Sequence, residues 1–114
     1  MARGALVQGY GLTTGETDAY QCPTQLVKSL IQKAQFVNTG GVAITINAWI
    51  TPDDPTPTSA ALKVIDDKQI GDNETYVAIE LIGEYINTGG KLVVQASAVG
   101  VSLWVNGNTF KTEV

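Results

Sequence analysis

Apolar side chains recur at every second position along much of this chain of 114 residues, and that period is the signature of strands with one buried face. Val42, Ile44, Ile46, Ala48 and Ile50 share one face of an extended segment. Val77, Ile79 and Leu81 form a second stripe, Leu92, Val94 and Ala96 a third, and Val101, Leu103 and Val105 a fourth. Turn chemistry separates the stripes: Asn38-Thr39-Gly40-Gly41, Gly71-Asp72-Asn73, Asn87-Thr88-Gly89-Gly90 and Asn106-Gly107-Asn108. Asparagine and glycine tolerate the positive φ that tight turns require. Short strands at this spacing predict an all-β fold, an antiparallel β-sandwich of jelly-roll-like type.

The segment from Thr24 to Val37 satisfies two periods at once. Leu26, Val27, Leu30, Ile31 and Ala34 fall on one face of a helix, with Lys28, Gln32, Lys33 and Gln35 elsewhere, so a short helix over 24–35 is one reading. The setting, between Pro23 and a Gly-Gly turn, favours the other: a long strand whose alternation is reset by a bulge. Thr51 to Ser59 holds Pro52, Pro55 and Pro57, which remove backbone donors, so it is expected as a stiff exposed loop able to reach a neighbouring subunit. Residues 1–17 are Gly- and Thr-rich and weakly patterned. They are expected as an N-terminal arm ahead of one sandwich domain over 18–114. Val37-Asn38-Thr39-Gly40-Gly41 echoes Ile86-Asn87-Thr88-Gly89-Gly90; corresponding edges of a sandwich are one reading of the echo, and favourable turn chemistry used twice is the better one.

Reactive groups are scarce. There is no histidine, which removes the commonest general base and metal ligand and makes a Ser-His-Asp or Cys-His arrangement impossible. The single cysteine, Cys22, has no base near it in sequence and is expected as a buried structural thiol. Asp66, Asp67 and Asp72 offer oxygen ligands, but no Asp-x-Asp-x-Asp-Gly loop exists, and solvated turn residues are the better reading. No phosphate loop or dinucleotide fingerprint is present. The expectation is a protein that is not an enzyme and has no cofactor or metal. With net charge −4 and only seven Lys plus Arg, binding to nucleic acid through phosphate neutralisation is not expected. No apolar run approaches the roughly 20 residues of a membrane helix. The start, Met1-Ala2-Arg3-Gly4, lacks the apolar core of a signal peptide, so assembly in a cytoplasm is expected.

The tryptophans carry more information. Trp49 is out of phase with Ile44, Ile46 and Ile50 and shares its face with Thr45 and Asn47. Trp104 is out of phase with Val101, Leu103 and Val105 and shares its face with Ser102 and Asn106. Both indoles are expected to point away from the main core. Three explanations fit an outward tryptophan: a subunit contact, a second small core beneath a loop, or stacking on sugar. Trp49 and Trp104 are taken as candidate protein–protein anchors, with the loop around Pro55 as a reaching element.

These features resemble small β-sandwich virion proteins of tailed bacteriophages. The resemblance is carried by Tyr20-Gln21-Cys22-Pro23, an apolar segment from Leu26 to Phe36, the Asn38-Thr39-Gly40 turn and Val42-Ala43-Ile44-Thr45-Ile46. Tyr85-Ile86-Asn87-Thr88-Gly89-Gly90-Lys91-Leu92 follows as a late turn-strand, with Val94-Gln95-Ala96-Ser97-Ala98 as a strand of small residues. It covers about Ala19 to Asn106; Gly90 departs from it, standing where such proteins often carry an acidic residue. The resemblance implies a virion structural protein, foremost a capsid decoration (cement) protein that forms a homo-oligomer and contacts the major capsid protein or other virion proteins. A tail or baseplate component of the same fold is the alternative location. A carbohydrate-binding module, with Trp49 and Trp104 stacking on sugar, is the alternative function.

Overall fold

The alternating runs become strands because their apolar faces close on one another. The computed structural model describes residues 2–23, 27–52 and 58–111. Among these, the strands in chain order are β1 (Ala2–Gly11), β2 (Thr17–Gln21), β3 (Val27–Asn38), β4 (Ile44–Thr51), β5 (Lys63–Ile70), β6 (Thr75–Val77), β7 (Tyr85–Ile86), β8 (Lys91–Ala96) and β9 (Val101–Lys111). One sheet has the order β1-β9-β3-β6, with β7 also on β3; the other has the order β2-β8-β4-β5. Every pairing is antiparallel.

The pairing is nested. β1 pairs with β9, β2 with β8, β3 with both β6 and β7, and β4 with β5. β6 and β7 occupy the same edge of β3, opposite Gln35–Val37 and Ser29–Leu30 respectively, and so act as one interrupted strand. A long antiparallel ribbon rolled up on itself gives this order, which is the jelly roll. The chain is an all-β sandwich with its core between the two sheets. Phe36, Ile31, Ile44, Ile46, Leu92 and Leu103 are buried there, and each contributes about 1.5–3 kcal/mol by leaving water.

Residues 27–35 are strand, not helix. β3 pairs with β9 along its whole length, with a register shift between Ile31 and Lys33. Val27, Ser29 and Ile31 face inward before the shift, and Ala34, Phe36 and Asn38 after it. The helix-like step from Ile31 to Ala34 is therefore the two-residue step of a strand plus one bulged residue.

Three other expectations are corrected. Asn106-Gly107-Asn108 is not a turn but lies inside β9, where Gly107 pairs with Ile31. A methyl group on Gly107 would sit 2.0 Å from the Leu30 carbonyl oxygen, so glycine serves close backbone approach beside the bulge. Val77, Ile79 and Leu81 do not share a face. The strand ends at Val77, the chain turns, and Ala78 and Leu81 are buried while Val77 and Ile79 are exposed. The stretch expected as an arm over 1–17 contains β1, an edge strand hydrogen-bonded to β9, and Val7 and Leu12 are buried in the core.

The loops joining β1–β2, β3–β4, β5–β6 and β8–β9 gather at one end of the sandwich. Buried Asn38 ties two of them, β3–β4 and β5–β6: its Nδ2 donates to the carbonyls of Val42 (2.8 Å), Ile70 (3.0 Å) and Gly71 (3.2 Å), and its Oδ1 accepts from Gly40 N–H (2.9 Å). Asn38→Ala leaves these partners unmet. It is expected to cost about 2–3 kcal/mol, read as a lowered urea midpoint; an unchanged midpoint would remove Asn38 as the tie.

Candidate binding surface

The outer face of the first sheet collects the polar positions that the alternation leaves out of the core. After the bulge, Lys33 and Gln35 of β3 point outward, as do Trp104 and Asn106 of β9. The register sets Trp104 opposite Gln35 and Asn106 opposite Lys33, so the four side chains occupy two neighbouring rungs. Val77 of β6 stands on the far side of Gln35. Ile82 closes the margin from the 78–84 excursion, which is anchored to β3 by Ala78 N–H to Ala34 O (2.9 Å) and Gly83 N–H to Ile31 O (2.8 Å). Together these side chains line a groove of about 180 Å³. Its apolar walls are wet: Trp104 is 44% exposed, Val77 53% and Ile82 38%.

Trp104 is held in place from the β1 side. Gly9 has φ +63 within the irregular part of β1, and a methyl group there would lie 3.1 Å from Trp104 Cζ2. A Cβ at this position would require the indole to give by a few tenths of an ångström, and the positive φ adds backbone strain for any other residue. Further along the same face, Tyr85 is opposite Leu30, which is opposite Asn108, and Lys28 Nζ lies 4.5 Å from the Tyr85 ring centre.

The other candidates lie elsewhere. Trp49 stands apart from the central core, as its phase indicates, but it is only 6% exposed. It lies opposite the buried Val93 of β8, and Lys63 Nζ sits 5.2 Å from its ring centre while pairing with Asp66 at 2.9 Å. Trp49 and Trp104 are thus on different sheets and do not form one site. Pro55 lies outside the described residues. Cys22 is a buried thiol, 3.5 Å from Ser29 Oγ, which also bonds Tyr20 Oη at 2.7 Å across the two sheets. Two acidic residues hold turns: Asp72 accepts from Gly41 N–H at 3.0 Å and Glu74 from Gly71 N–H at 2.7 Å. Among the described residues no His, Cys, Asp or Glu cluster has metal-ligating proximity.

Asn106 was legible as a neighbour of Trp104 from phase alone. Lys33, Gln35, Val77 and Ile82 were not, because their proximity depends on the β3–β9 register and on the excursion after β6. No family model, curated protein or solved structure matches the chain.

One ionisable group near this margin is perturbed. Burial first, then the hydrogen bond to Glu80 and its charge, push Tyr76 up to about 12. An unfolded tyrosine titrates near 10. The protonated hydroxyl therefore stabilises the fold fully below pH 10, and that contribution is lost as pH rises through about 12. The absorbance titration of wild type minus Tyr76→Phe should place the missing step near 12; a step near 10 would contradict this environment.

Proposed function

We propose that the protein is a tailed-phage virion component that works by packing against its neighbours, foremost as a head decoration protein, with tail or baseplate as the alternative location. A jelly roll supports many functions, so the fold alone does not decide this. The observation that carries it is a pair of exposed apolar side chains at the loop end of the sandwich. Val42 (57% exposed) and Val99 (70%) sit on touching loops there, where Thr39 N–H donates to Gly100 O at 2.9 Å. Large exposed apolar side chains brought together on one surface mark protein contacts. The loop end suits a dry contact, because its exposed valines are flanked by Gly40, Gly41 and Gly100, which carry no side chains. Binding only the assembled shell stabilises that shell by mass action, and many copies on one lattice gain avidity.

Co-sedimentation with shells lacking the protein tests this reading. Wild type should bind saturably. Val42→Asp with Val99→Asp should lose at least about tenfold in affinity while keeping the wild-type circular dichroism. Full binding by that variant would remove the loop end from the interface. Wild type that sediments with neither heads nor tails would overturn the proposal.

A further inference from the structure

We infer that the Trp104 groove is a carbohydrate site, taking a pyranose ring of an acidic oligosaccharide. The inference does not depend on shell docking. A pyranose has an apolar face and a rim of hydroxyls, and the groove offers the complement of both. Trp104 supplies a half-exposed aromatic surface already seated on Gly9, so little side-chain freedom is lost on stacking. The Lys33 ammonium and the Gln35 and Asn106 amides surround it, and none of the three side chains has a hydrogen-bond or ion-pair partner among the described residues. Together they provide donors and acceptors for hydroxyls and one uncompensated positive charge for a carboxylate.

The same composition argues against a dry protein interface here. Interface cores are depleted of lysine, and each buried polar head left unmet costs free energy.

A second observation extends the site along the sheet. Asn108, on the outward phase of Trp104 and Asn106, is 8% exposed, and its Oδ1 has no hydrogen-bond partner. That oxygen is enclosed by the protein, so Asn108 marks the rung rather than a ligand contact. Its rung also carries Tyr85 with Lys28 over the ring. From Trp104 to Asn108 along β9 is about 13 Å at the rise of a strand. Tyr85 lies a further two strands across the sheet, so the two aromatic stations are about 16 Å apart, and with a lysine beside each they fit an oligosaccharide better than a single sugar.

The test is titration of the full chain with galacturonic acid trimers and, separately, neutral glucose trimers, read by amide chemical shifts and tryptophan fluorescence. The expected result is saturable millimolar-range binding, tighter for the acidic trimer, with shifts confined to β9, β3 and the 78–84 segment. Lys33→Gln should abolish the acidic preference, so that the two trimers bind with the same affinity. Trp104→Ala should weaken both by at least about tenfold with the remaining amide spectrum preserved. Flat titrations with both trimers, or shifts centred on another surface, would overturn the inference. So would loss of shell binding by Trp104→Ala without any sugar response, which would make the groove a protein contact. Failure of shell binding with intact sugar binding would instead sink only the decoration reading.

Discussion

Trp49→Ala is expected to lower the unfolding free energy by about 3–5 kcal/mol, whereas Trp104→Ala should change it by less than about 1 kcal/mol. The two tryptophans have the same phase relation to their strands, so sequence alone treats them alike. Their surroundings differ. Trp49 is packed against Val93 and covered by Lys63, and its removal leaves a void beneath a lysine whose aliphatic stem has lost its support. Trp104 is 44% exposed, and water fills the space it vacates. Urea unfolding of the two variants separates the cases. Comparable losses at both positions would mean that Trp104 is core and that the outer face of the first sheet is not free.

Gly107→Ala is expected to be as damaging despite adding one methyl group. Its Cβ would lie 2.0 Å from the Leu30 carbonyl oxygen, a backbone atom of the paired strand, and 3.1 Å from Leu6 Cδ1. The leucine can move, but the carbonyl cannot move without breaking the β3–β9 ladder. A loss of about 3 kcal/mol or more follows, or failure to fold. Thermal unfolding of this variant beside Gly15→Ala, where an added methyl meets nothing within 4 Å, controls for the general effect of replacing glycine. Equal midpoints would contradict the β3–β9 register, and with it the rungs that place Trp104 beside Gln35.

Much of the architecture was legible because each central strand buries one face. Ile44, Ile46 and Ala48, Leu92, Val94 and Ala96, and Val101, Leu103 and Val105 all alternate, and all are buried. Even β3 was recoverable, since a bulge explains a helix-like spacing next to a Gly-Gly turn. The second stripe, at β3's edge, was not. β6 and β7 have three and two residues, too short for a period, and the chain between them turns so that Ala78 and Leu81 are buried while Ile79 and Ile82 are exposed. Asn106-Gly107-Asn108 misled because glycine serves close strand approach as readily as it serves turns. The groove was half legible: the phase of Trp104 and Asn106 is local, but Lys33 and Gln35 join them only through pairing across some seventy residues of chain.

Imaging the assembled particle most directly tests the claim that this jelly roll acts through its surfaces in a virion. A difference map between particles made with and without the chain should show a sandwich-sized density repeated at equivalent positions on the head, with the loop end carrying Val42 and Val99 against the shell. Identical particles in both preparations, with the protein recovered only in the free fraction, would contradict the account.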